Sequence, residues 1–132
     1  MLDRGLSLYN VHTDGSMIYY RTRLQSTRAW NPKAGFQNWG AHMITANLYL
    51  VDWLEEKGFS YDVYTDEDLH SNGYSLLSRY SCIILGSHPE YCTQQMVEAI
   101  STYSKTGGRI LNLAGNSLYW VISIDKQRPH IM

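Results

Sequence analysis

The chain is poor in the residues that brace small proteins covalently. It holds two cysteines, three prolines and two phenylalanines in 132 residues. Cys82 and Cys92 cannot build the disulfide framework on which small secreted domains depend, so a reduced, cytoplasmic setting is expected. Eleven basic side chains against twelve acidic ones leave a net charge of −1. Without a basic excess there is no electrostatic footprint for nucleic acid, and none is expected as a partner. No apolar run approaches the roughly 18 residues that cross a bilayer, so no membrane association is expected. The opening residues lack the apolar stretch and small-residue cleavage site of a secretory signal. Gly-x-Ser-x-Gly and Gly-x-x-x-x-Gly-Lys-Ser/Thr are missing, which removes the main support for serine hydrolase and P-loop chemistry. The five histidines show no His-x-x-x-His spacing and the cysteines no Cys-x-x-Cys, so no zinc set is legible. What is abundant is tyrosine, eleven of them, with four tryptophans. Such side chains suit cores and sites that mix apolar walls with hydrogen bonds.

Periodicity divides the chain into alternating strands and helices without repeats or linkers. Leu6–Val11 alternates as a strand, and residues 19–35 show no clear period. Asn38–Lys57 is the longest helical pattern, with Ile44, Leu48, Val51 and Leu54 as its stripe and Gly58 at its stop. Ser60–Tyr64 reads as a short strand. Thr65 then caps a helix, with Asp68 reaching back, that buries Leu69, Leu76, Leu77 and Tyr80 and is weakened by Gly73. Cys82–Leu85 is a continuous apolar run, the mark of a strand covered on both faces. Thr93 caps the next helix, whose Met96, Ile100 and Tyr103 share a face and which Gly107-Gly108 ends. Arg109–Ala114 follows as a strand. The order implies one α/β domain over residues 1–132, a parallel sheet with helices on both faces. The tail, Arg128–Met132, reads either as a frayed end or as the cut edge of a longer domain.

Open parallel sheets collect ligands beyond the carboxyl ends of their strands. The segments expected there are residues 10–15, Thr65-Asp66, Gly86–Tyr91 and Gly115–Ser117. His88-Pro89-Glu90 is the sharpest of them. Proline fixes its own φ and biases His88 toward an extended conformation, so His88 and Glu90 sit on a stiff elbow. They suit a metal ligand or a base, or equally two side chains bonding amides at the start of the next helix. Tyr9 reads as a core tyrosine or as a phenolate ligand to a hard metal ion. Asn116 reads as a turn residue or as a carboxamide holding a substrate carbonyl.

Several segments in register carry a resemblance. Leu8–Ser16, Val51–Phe59, Asp62–His70, Gly86–Tyr91 and Gly115–Trp120 resemble the large (β) subunit of the N,N-dimethylformamidase family, in the family's order. The family's subunit is much longer, so the resemblance implies that the chain is a fragment of a longer amidohydrolase subunit. It implies a glutamine-amidotransferase-like (flavodoxin-like) three-layer sandwich, incomplete here. The implied activity is hydrolysis of N,N-dimethylformamide, or a similar small amide, to dimethylamine and formate. The implied cofactor is a mononuclear iron held by two tyrosines and a glutamate. Glu90 carries over as the glutamate ligand, Tyr9 as one tyrosine, His88 as the neighbouring histidine and Asn116 as the asparagine near the substrate. The other tyrosine should precede Tyr9, where none of the eight residues is Tyr. The chain departs from the family pattern at Cys92, where Trp is usual, and at Ser117-Leu118, in place of Gly-Phe. A small partner subunit and homo-oligomerisation of the large subunit are implied as well. The alternative is a non-catalytic fragment or a small-ligand-binding module on the same fold.

Overall fold

The computed structural model describes residues 44–129, 131 and 132. The expected strand at Leu6–Val11, and Tyr9 within it, lie outside the described residues. The chain divides into two compact units, Arg28–Val121 and Met1–Thr27 with Ile122–Met132. In the second of these, the Asp125 carboxylate accepts from the amides of Gln127 and Arg128, each at 2.9 Å. The Arg128 guanidinium closes the turn at 3.0 Å and holds the Asp125 carboxyl below its ordinary range.

Among the described residues, the first element of the larger unit is helix α1, Ile44–Glu56. Its inward face matches the expected stripe at Ile44, Val51 and Leu54 and departs from it at Leu48. Leu54 is buried and Asn47, Leu50 and Val51 are half-buried, whereas Leu48 is 56% exposed. Positions 47, 50, 51 and 54 follow the i, i+3, i+4, i+7 spacing, so a polar residue occupies the place predicted for an apolar one. Gly58, at φ +69°, ends the helix as expected: its amide donates to Glu55 O and the Phe59 amide to Leu54 O, both at 3.0 Å.

The strand expected at Ser60–Tyr64 does not form. Its alternating side chains find partners through their polar tips. Tyr61 donates to Glu55 at 2.6 Å, and Tyr80 donates to Asp62 at 2.5 Å. The Tyr64 hydroxyl lies 2.8 Å from that of Tyr80 and accepts from Arg79 at 2.7 Å. Val63, with no such handle, is largely exposed.

Helix α2, Asp66–Asn72, opens on the expected capping box, with the Asp68 amide donating to Thr65 Oγ1 and the Thr65 amide to the Asp68 carboxylate. The same bonds hold the Asp68 carboxyl below its ordinary range. Gly73, at φ +55°, does more than weaken this helix. It splits off a separate turn, α3, Tyr74–Leu77, which buries Leu76 and Leu77.

Strand β1, Cys82–Leu85, pairs in parallel with β3, Arg109–Asn112, in the register Cys82 to Arg109 through Leu85 to Asn112. The strand is half-covered, with Cys82 exposed, in place of the burial on both faces that its composition suggests. Two three-residue strands, β2 (Tyr91–Thr93) and β4 (Trp120–Ile122), form a second pair. Among the described residues the fold is therefore mixed α/β, with two two-stranded sheets in place of the continuous sheet expected. Both short strands escaped the sequence reading because three residues establish no alternation.

Helix α4, Gln94–Lys105, is the best-determined element from sequence. Thr93 caps it, accepting from the Met96 amide at 3.4 Å, while Met96 Sδ accepts from the Thr93 amide, also at 3.4 Å. A thioether takes the place of the usual carboxylate in this box, which suits a buried position where a charge would be costly. Leu77, Ala99, Ile100 and Tyr103 form the core, with Leu69, Ile83, Leu85, Ile110 and Leu118 packed against it. Gly108 lies flat on the Tyr103 ring, where a Cβ would come within 2.3 Å. The Tyr103 hydroxyl donates to Tyr80 O at 3.0 Å.

Candidate functional site

The carboxyl end of β1 runs into Gly86-Ser87-His88-Pro89-Glu90, and the carboxyl end of β3 into Leu113–Trp120. Backbone hydrogen bonds stitch the two segments together. Leu113 N donates to Leu85 O (3.3 Å), Gly115 N to Ser87 O (3.2 Å) and Leu118 N to Pro89 O (2.9 Å). Glu90 O accepts from both Tyr119 N (3.1 Å) and Trp120 N (2.8 Å). The elbow and the asparagine loop, more than twenty residues apart in sequence, are thus one structural unit at the edge where parallel strands end.

Proline turns the elbow as its chemistry dictates. The Glu90 amide donates to His88 O at 2.9 Å, a three-residue turn centred on Pro89 whose fixed φ fits it. The turn sets His88 Nδ1 3.4 Å from Glu90 Oε2. The Glu90 side chain is 14% exposed and that of His88 26%. A largely buried carboxylate is a hard oxygen donor.

Asn116 is exposed at the tip of the facing loop, at φ +47°, and Leu118 stands at φ +56°. Left-handed backbone at a non-glycine residue costs on the order of 1–3 kcal/mol, and such strain concentrates at functional sites. Packing of the Leu118 side chain against the core and its amide bond to Pro89 hold the conformation. Between the two lies Ser117, whose Oγ is buried without a hydrogen-bond partner among the described residues. Gly115 faces the His88 ring, 3.9 Å from the position a Cβ would take. Of the four residues singled out from sequence, the fold therefore brings together the segments bearing His88, Glu90 and Asn116. Tyr9 lies outside the described residues.

Behind the elbow, β2 buries Cys92 and Thr93, each 1% exposed. Thr93 Oγ1 lies 2.8 Å from His70 Nδ1, so His70 packs against the strand. Burial, with the charge of Asp66 adding to it, pushes the Cys92 thiol up to about 11. A buried thiol held so far toward its protonated form is a poor nucleophile at neutral pH. Burial likewise raises the Asp66 carboxyl.

Sequence reasoning missed Asn47. Its Oδ1 accepts from the Ser87 amide at 2.8 Å, forty residues away. The available signal was faint: an asparagine inside a helical pattern, where that residue type is disfavoured.

A histidine–carboxylate pair thus stands at the carboxyl edge of a parallel strand pair, beside a loop with two left-handed residues, in a mixed α/β protein. The particular family follows from comparison. Residues 4–132 match the family described as N,N-dimethylformamidase beta subunit-like, C-terminal, and the chain belongs to that family. It is 40% identical over 129 residues to the N,N-dimethylformamidase beta subunit of Paracoccus aminophilus. It is 39% identical over 129 residues to the protein of the same name from an Alcaligenes species. Each alignment covers 97% of this chain and 17% of the relative, so the chain spans about a sixth of their length. Among the described residues, no helix is long and apolar enough to cross a membrane.

Proposed function

We propose that these 132 residues are an α/β segment of a longer amidohydrolase subunit that cleaves a small linear amide, N,N-dimethylformamide or a close analogue, to an amine and formate. The observation that carries the reading is the His88–Glu90 pair on its proline turn, in a chain 40% identical to a dimethylformamidase subunit. A glutamine-amidotransferase-like three-layer sandwich, completed by residues outside those described, is the architecture this reading takes for the whole domain.

The donor chemistry fits iron. Glu90 offers a carboxylate oxygen, and Tyr9, by the family resemblance, a phenolate; hard anionic oxygens suit that metal. Among the described residues no three His, Cys, Asp or Glu side chains cluster, and this reading takes Glu90 as one member of a set completed by residues outside them. A mononuclear iron at this position would supply Lewis acidity toward the amide oxygen or water. The chain's own residues do the rest. His88, whose Nδ1 stands 3.4 Å from Glu90, passes a proton to the departing amine. The Asn116 carboxamide, carried on the facing loop, donates to the oxygen on which charge develops. The cytoplasm, a small partner subunit and assembly of large subunits belong to the same reading.

Release of dimethylamine and formate from N,N-dimethylformamide by the full-length subunit tests it. Turnover that requires iron and is lost on Glu90→Gln is expected; turnover indifferent to both overturns it. A second reading takes the segment in isolation as a non-catalytic piece that binds metal or a small ligand weakly. Full iron occupancy in the isolated 132 residues would contradict that second reading.

A further inference from the structure

Helix α1 carries asparagine on its inward face, at the fourth of its thirteen residues. Asparagine loses helix stability because its side chain competes for backbone groups, and a polar group turned inward costs free energy unless it is bonded. Position 86, at the end of β1, is glycine, which gives up more conformational freedom on folding than any other residue. Each of these unfavourable choices is explained by the other. A Cβ at Gly86 would lie 2.9 Å from Asn47 Oδ1 and 3.1 Å from its Nδ2, so a larger residue there would push the carboxamide away from the strand end. In that position Asn47 Oδ1 takes the Ser87 amide at 2.8 Å, while Gly115 N takes the Ser87 carbonyl at 3.2 Å. Both backbone groups of the residue before His88 are therefore clamped, one from α1 and one from the asparagine loop.

We propose that Asn47 is a positioning residue of the site: its carboxamide, seated on Gly86, fixes the start of the His88-Pro89-Glu90 elbow and so the placement of both functional side chains. It touches neither metal nor substrate and acts through Ser87. The inference rests on the functional reading above for its catalytic consequence, but the contact itself is independent of that reading.

Two measurements test it. In the full chain, amide hydrogen exchange followed by NMR should show Ser87 exchanging at least about tenfold faster in Asn47→Ala, with the β1–β3 ladder amides unchanged. Gly86→Ala should produce the same acceleration by expelling the carboxamide, and should add nothing in the Asn47→Ala background. In the iron-loaded full-length subunit, Asn47→Ala should lower kcat about tenfold to a hundredfold with KM little changed, the mark of lost positioning. Asn47→Asp keeps an oxygen acceptor for Ser87 and should recover most of the loss. An unchanged Ser87 exchange rate overturns the proposal, as does an unchanged kcat when Ser87 has been freed. Wild-type protein with neither iron nor amide turnover refutes the functional reading instead, and the exchange and double-substitution results then decide the role of Asn47 alone.

Discussion

His88 Nδ1 and Glu90 Oε2 stand 3.4 Å apart across a single proline. Two residues that far along an ordinary strand point the same way without being held there. The Pro89 turn, and the two amides that grip the Glu90 carbonyl, hold them. The pair sets an imidazole nitrogen beside a carboxylate oxygen. His88→Gln should accordingly leave iron content unchanged and lower kcat on dimethylformamide by about 10²–10⁴. Parallel metal analysis and steady-state kinetics on the purified full-length subunit check this.

The facing loop makes a separate prediction. Asn116 occupies left-handed backbone that glycine adopts without penalty. Asn116→Gly should therefore hold or raise the melting temperature while removing the carboxamide, and kcat should fall by about 10²–10³ as for loss of one oxyanion donor. Thermal denaturation beside kinetics separates the two effects. A fall in melting temperature matching the fall in activity would mean that the residue is structural only.

Cys92 provides a pH signature of the fold itself. Burial raises its folded-state value to about 11, above the roughly 8.5–9 of an unfolded thiol. Folding therefore favours the protonated thiol. This contribution is fully present below about pH 8.5 and is lost as pH climbs through about 11. Urea midpoints should fall between pH 8 and 10.5 more steeply in the wild type than in Cys92→Ala, which lacks the titrating group. Equal slopes would contradict the burial of this thiol.

Much of this was legible where local chemistry decides local structure. Thr65 with Asp68, Thr93 before an apolar period, Gly58 and Gly107 at helix ends, and the Cys82–Leu85 run each specify their element through hydrogen bonds or burial within a few residues. Pro89 likewise made the closeness of His88 and Glu90 readable. The misses are all tertiary. Ser60–Tyr64 has strand composition but spends its polar tips on Glu55, Arg79 and Tyr80. Tyr91–Thr93 and Trp120–Ile122 are too short to show a period. Helix α1 exposes Leu48 and turns Asn47 inward, and no pattern within the helix announces it. The amidotransferase-like architecture and the ligand role of Tyr9 came from resemblance, and both extend into residues outside those described.

The central claim is that Glu90 is a metal ligand, and iron content measures it directly. Full-length subunit purified without added metal should contain close to one iron per chain, and Glu90→Gln, which keeps the side chain's shape but removes its charge, should contain almost none. Iron retained at the wild-type level in Glu90→Gln would contradict the account.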